Sequence, residues 1–167
     1  MNMENINSNA KIHRSKINDL RFTQLDPVLD EITELAMLIG KTSSAFILLA
    51  GSSFDEIVST AGVSFEQHRY KYAVGKSIIT SGNLLEIADT LKDPGFKSDP
   101  YVLTPPIVRF FCGAPVRNKN GHTFGMLGLL DPKTVKMSPE QHRSLTFLSQ
   151  RVARYFELKE EKNEQPA

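Results

Sequence analysis

Apolar side chains divide the first part of the chain into one helix and two strands. Residues 28–39 place them three and four positions apart, which predicts an amphipathic helix that begins at Asp26 and Pro27. The runs TSSAFILLA at 42–50 and EIVSTAGV at 56–63 are short and bounded by turn residues. They predict two strands that form a hairpin.

The middle of the chain is less regular. AVGKSIITSGN at 73–83 has a weak helical pattern and predicts a short helix, and LLEIAD at 84–89 predicts another strand. The stretch TLKDPGFKSDPYVLTPP that follows carries four prolines, which exclude long regular structure. We call residues 89–107 the crossing segment, and we expect it to be a long connection of the kind that often carries function.

The run IVRFFCGAPVRNKNGHTFGMLGLLD at 107–131 predicts two strands joined by a turn. Its NKNG sequence contains Asn-Gly, which indicates either a two-residue turn or a longer bulged one. Both strands carry apolar residues at successive positions, which indicates a sheet covered on both faces. The register stays open, and with it the side of the sheet to which Phe110 and Phe111 each point.

A second amphipathic helix closes the predicted domain. Ser138 and Gln141 have the spacing of a capping box, and Pro139 lies in the first turn. The apolar stripe of this helix comprises Leu145, Leu148, Val152, Tyr155 and Phe156.

Length and charge narrow the classes of function. The 167 residues predict a polar N-terminal arm at 1–20, one domain at 21–160 and a disordered tail at 161–167. Lys and Arg number 20 against 19 for Asp and Glu, so no strong field attracts nucleic acid or acidic lipids. No apolar run has the length of a signal peptide or membrane span, so we predict a cytoplasmic protein without nucleic-acid or membrane partners.

The residues from 89 to 131 resemble the bacterial form of the GAF domain. In that family this region reads D-x-x-x-D-P-R-F, then P-x-V, then I-R-F-Y-x-G-A-P-L, then D-G-H-x-x-G-x-L-x-x-x-D. The resemblance extends more weakly over residues 26–156, and the chain departs from the pattern at Gly95, Phe111 and Cys112. The matching residues are Asp89, Asp93, Pro94, Phe96, Pro100, Val102, Arg109, Phe110, Gly113, Ala114, Pro115, Gly121, His122, Gly125, Leu127 and Asp131.

This resemblance implies an α+β fold of the GAF type, related to PAS domains. Its antiparallel sheet would have five to six strands, with the terminal helices on one face and short helices and loops over a small-molecule pocket on the other. The resemblance also implies dimerisation through the terminal helices and a regulatory role beside a signalling output domain. No output domain fits within 167 residues, so we expect the protein to act alone or on a separate output protein.

We predict that the pocket lies between the sheet and the crossing segment. The prolines restrict this backbone, while Phe96 and Tyr101 offer apolar walls and one hydroxyl group. Asp89 would either bind a ligand donor or cap the next turn, and Tyr72 is a further candidate wall. Phe110 and Phe111 complete the candidate ligand-binding residues. A mostly apolar cavity favours an unidentified organic metabolite over a metal, and no cofactor is specified.

Cys112 is the only cysteine, and it lies inside an apolar strand. We expect it to be a buried packing residue without catalytic function, because a nucleophilic thiol needs a base and an electropositive, partly exposed setting. A single cysteine also cannot support exchange between a catalytic and a resolving thiol. His13, His68, His122 and His142 show no metal-binding spacing, so the sequence predicts neither a catalytic residue nor a metal site.

The sequence is compatible with three functions. The first is a sensory module that binds a small molecule and forms a homodimer through its terminal helices. The second is a structural dimerisation module without a ligand. The third is a thiol-dependent enzyme similar to the GAF domains that reduce methionine sulfoxide.

Overall fold

The structure, a computed structural model, describes residues 26–51, 56–62, 78–105 and 107–165. Within these ranges the elements follow the predicted order, and a helical turn at 78–81 lies inside the predicted short helix. The four-residue helix Pro100–Leu103, inside the crossing segment, was not predicted. They are α1 (Pro27–Gly40), β1 (Ser44–Leu49), β2 (Glu56–Gly62), β3 (Leu85–Ile87), α2 (Pro100–Leu103), β4 (Phe110–Arg117), β5 (Thr123–Asp131) and α3 (Pro139–Glu164).

The strands form one antiparallel sheet of five strands in the order β2-β1-β5-β4-β3. Each predicted hairpin is present: β1 pairs with β2, and β4 pairs with β5. Strand β5 lies at the centre, where it also pairs with β1 from the other end of the domain. The predicted α+β architecture is therefore confirmed.

Side-chain caps fix the starts of both long helices. The Asp26 carboxylate accepts from the Val28 amide at α1, and Ser138 and Gln141 form the predicted capping box at α3. Each cap satisfies amides that would otherwise lack partners in the first turn. The Gln141 side chain also donates to the Ile39 carbonyl at 2.8 Å, which joins the start of α3 to the end of α1.

The hairpin of β4 and β5 is buried on both faces, as the sequence predicts. Phe110 belongs to the core cluster that α1 and α3 cover, together with Cys112, Ala114 and Val116. Phe111 belongs to a second cluster, on the opposite face of the sheet. We call these the helix face and the crossing-segment face.

The turn of this hairpin is longer than two residues. Asn118 accepts from the Gly121 amide through its carbonyl and from the Asn120 and His122 amides through its side chain. Gly121 has a φ of 82°, a left-handed conformation that glycine adopts without a steric penalty. The longer of the two predicted turns is therefore present.

Helix α3 extends beyond the predicted start of the disordered tail. The disordered tail was predicted to begin at residue 161, but α3 continues to Glu164. Ion pairs of Arg154 with Glu157 and Glu161 extend along this last part of the helix, and charge pairs of this kind support a helix outside a core. The N-terminal arm at 1–20 lies outside the described residues.

Substitution of Gly125 by alanine should destabilise the sheet. A methyl group there would lie 2.4 Å from the Leu48 carbonyl oxygen, which belongs to the paired backbone of β1 and cannot move away cheaply. We expect the free energy of unfolding to fall by about 1–3 kcal/mol, measured by urea denaturation. Gly95→Ala is the control, since its methyl group would meet only the Asp93 side chain. Equal stability of the two variants would contradict this packing argument.

Candidate functional site

The crossing-segment face carries a cluster of buried apolar side chains. Its buried side chains come from four strands, from the helical turn at 78–81 and from the approach to β4, and Phe96 of the crossing segment packs against them. Phe96, predicted as a wall of the small-molecule pocket, therefore contacts this face of the sheet. The buried members are Phe46, Leu48, Ile78, Ile87, Val108, Phe111, Met126 and Leu130.

Asp89 forms an ion pair with Arg109 at the start of the crossing segment. The Arg109 guanidinium donates to the two carboxylate oxygens, from Nε at 3.1 Å and from Nη2 at 2.6 Å. The Arg109 hydrogen bond lowers the pKa of Asp89 below its usual value. Asp89 Oδ1 also accepts from the Leu91 amide, so the predicted capping role is present. Both oxygens of the Asp89 carboxylate therefore already have hydrogen-bond partners within the protein.

Other polar groups of the crossing segment hold its backbone. Asp93 accepts from the Gly95 amide at 2.8 Å, and Thr90 donates its hydroxyl to the Val108 carbonyl at 2.7 Å. The Thr90 amide donates to the Arg109 carbonyl, which ties the two ends of the segment together. These contacts fix where the segment leaves and rejoins the sheet, and therefore where Phe96 lies.

The remaining predicted site residues have different positions. Phe111 lies on the crossing-segment face, whereas Phe110 is fully buried on the helix face and does not reach that surface. Tyr72 lies outside the described residues, and for Tyr101 only the backbone, in α2, is described. The structure thus brings Phe96 and Phe111 together on one face of the sheet. Asp89 lies at the start of the crossing segment, where Arg109 and the Leu91 amide bind its carboxylate.

An open cleft of about 330 Å³ lies at the edge of the sheet, between the end of β4 and α3. The sequence did not predict it, since its residues come from three separated parts of the chain. Its lining is largely polar, with one cation: Asn83, Leu84, Pro115, Arg117, Asn118, Thr146, Ser149 and Gln150.

Cys112 is fully buried, as predicted. Burial, and secondarily the Glu86 carboxylate, raise the pKa of its thiol to about 12. The sequence did not predict its surroundings: Glu86 of β3 and His142 of α3 lie beside it, and their side chains contact each other. His142 is thirty positions away in sequence, so no local spacing could indicate this cluster.

No protein-family model matches the chain. The GAF domain region of a membrane protein from Geobacter sulfurreducens superposes with a TM-score of 0.64 at 17% identity, over 86% of this chain and 97% of that one. A domain of a two-component sensor histidine kinase from Sinorhizobium meliloti gives 0.65 at 12% identity, over 83% and 96%.

This chain has the GAF fold. Among curated proteins, a cyclic di-GMP phosphodiesterase of Pseudomonas aeruginosa is 28% identical over 106 residues. The match spans 64% of this chain but only 18% of that enzyme. The predicted resemblance is therefore confirmed at the level of the GAF fold. Of the helices described, none is long and apolar enough to span a membrane.

The thiol of Cys112 should react slowly with an aromatic disulfide reagent in the native protein. Both its burial and its raised pKa suppress the reactive thiolate. We expect release of the coloured thiol to be at least about a hundredfold slower than from the same protein in guanidinium chloride. Labelling at equal rates in the two conditions would contradict a buried thiol.

Proposed function

We propose that this GAF domain is a non-catalytic regulatory module that binds a small organic molecule and forms a homodimer. It would act in bacterial signal transduction in the cytoplasm, on a separate output protein. The observation that carries the proposal is the apolar crossing-segment face, over which Phe96 packs.

The relatives support a signalling role. The matched histidine kinase is a two-component sensor, and the curated relative is a phosphodiesterase that acts on cyclic di-GMP. Because the match covers a small part of that enzyme, it supports a regulatory role for this chain and not the phosphodiesterase reaction.

Binding of an organic molecule is favoured by the chemistry of the crossing-segment face. Phe111 and Met126 provide buried apolar surface from adjacent central strands, and Phe96 adds a half-buried aromatic ring from the crossing segment. Small-molecule sites are typically apolar, with few polar groups. The Asp89 carboxylate already binds Arg109, so its charge is compensated and does not by itself favour a cation.

A thiol-dependent reaction is the weaker alternative. It would require Cys112 as thiolate, and the thiol is buried with its pKa raised to about 12. Loss of turnover on Cys112→Ser, at unchanged stability, would support that alternative.

Dimerisation is favoured by exposed apolar side chains on the terminal helices. Leu38 on α1 is 62% exposed and Phe147 on α3 is 64% exposed. Val28, Leu35 and Leu158 are further exposed apolar side chains on these helices. The two helices pack against each other and use their other sides to cover the sheet. The apolar area of these helices that does not cover the sheet is available for an isologous contact with a second copy.

Native mass spectrometry of the freshly purified full chain tests ligand binding. We expect a retained small molecule, and Phe96→Ala should reduce its occupancy about tenfold, because an apolar wall is lost. Phe147→Ala is the control, since it removes a phenyl ring outside this face. If no molecule is retained and Phe96→Ala changes only thermal stability, the structural dimerisation module is the better account.

Sedimentation equilibrium tests the dimer. The full chain should be dimeric at high micromolar concentration, and the double substitution Leu38→Glu and Phe147→Glu should make it monomeric, since four charges would enter one apolar contact. Leu103→Glu is the matched control, because Leu103 is also exposed but lies in the crossing segment. A monomeric native chain, or a dimer that survives the double substitution, would refute pairing through this surface.

A further inference from the structure

Three side chains of different chemistry meet on the helix face of the sheet. Glu86 lies directly opposite Cys112 in the pairing of β3 with β4, so both side chains point to the same face. The helix α3 packs on that face and places His142 over them. One carboxylate oxygen, the Sγ atom and one ring nitrogen all lie within 4.8 Å of one another.

These three groups are the ligand types that zinc prefers in proteins. A thiolate, an imidazole and a carboxylate bind zinc at about 2.0–2.3 Å, which in a tetrahedral site separates the ligand atoms by roughly 3.3–3.7 Å. The observed cluster is compatible with that spacing after small side-chain movements. The direct contact between Glu86 and His142 has to open, because the ion would lie between their atoms.

The surrounding structure holds the ligands in place. Glu86 Oε1 accepts from the Met137 amide, which leaves Oε2 directed at His142. The backbone amide of His142 donates to the Ser138 carbonyl in the first turn of α3, and the capping box fixes that turn. Contacts of this kind orient metal ligands and strengthen binding.

Burial explains why a cation would be favoured here. Cys112 is fully buried, while the side chains of His142 and Glu86 are 34% and 17% exposed, so the cluster opens to solvent on one side. A divalent ion would compensate both negative groups at once, and the partly exposed histidine gives it a path of entry.

We propose that Glu86, Cys112 and His142 bind one Zn²⁺ ion, with water as the fourth ligand. The ion would connect the start of α3 to strands β3 and β4. The site lies on the helix face, so it is separate from the organic-ligand site proposed on the crossing-segment face, and either can fail without the other.

Zinc binding to the full chain is measured by equilibrium dialysis against Zn²⁺ with metal analysis. We expect one ion per chain, and at least about tenfold weaker binding in Cys112→Ala, Glu86→Gln and His142→Gln, since each removes one of three protein ligands. His122→Gln is the matched control, because this histidine lies at the turn between β4 and β5. It should bind zinc as the native chain does.

Substitution with Co²⁺ gives a second readout. The native chain should show a thiolate-to-cobalt absorption band in the near ultraviolet, and Cys112→Ala should lack it while retaining native circular dichroism. If Cys112→Ala does not fold, metal binding by Glu86→Gln and His142→Gln tests the site. These two side chains are partly exposed, so their substitution should leave the fold intact. The proposal is overturned by absent zinc binding in the native chain, by undiminished binding in the three variants, or by equal loss in His122→Gln.

Discussion

Strands β4 and β5 pair along their length and are buried on both faces, so each face of this hairpin needs a covering layer. On one face α1 and α3 supply it, and on the other the crossing segment contributes Phe96. The pairing of β5 with β1 brings the first half of the domain onto the same sheet. The remaining architecture follows from covering this hairpin, because exposed apolar strands would be costly in water.

The two faces offer different chemistry because different elements cover them. Long capped helices close the helix face around Phe110, Cys112 and Phe156. An irregular, proline-containing segment crosses the other face, and hydrogen bonds at Thr90 and Asp93 hold its backbone. Rigid helical packing suits a metal site with fixed geometry, whereas a loop over an apolar sheet suits a small molecule that enters and leaves.

The proposed zinc site lies at the start of α3, and the proposed organic-ligand site lies under the crossing segment, which precedes β4. The capping box at Ser138 and the Gln141 contact with α1 fix the start of α3, next to His142. The exposed surface around Phe147 is on the same helix. A ligand that alters the position of α3 would therefore act directly on the proposed dimer contact, through one continuous element.

The sequence by itself predicted the long helices, the strands and the GAF resemblance, but not the four-residue helix α2 in the crossing segment. These features depend on residues that are close together in sequence. The capping box at Ser138, the apolar strands and the prolines of the crossing segment each occupy a short stretch of the chain. Tertiary structure decided the register that separates Phe110 from Phe111, because a shift of one residue exchanges the two faces. It also brought Glu86 and His142 to Cys112, since contacts between distant segments depend on strand pairing and helix packing, which no local pattern encodes.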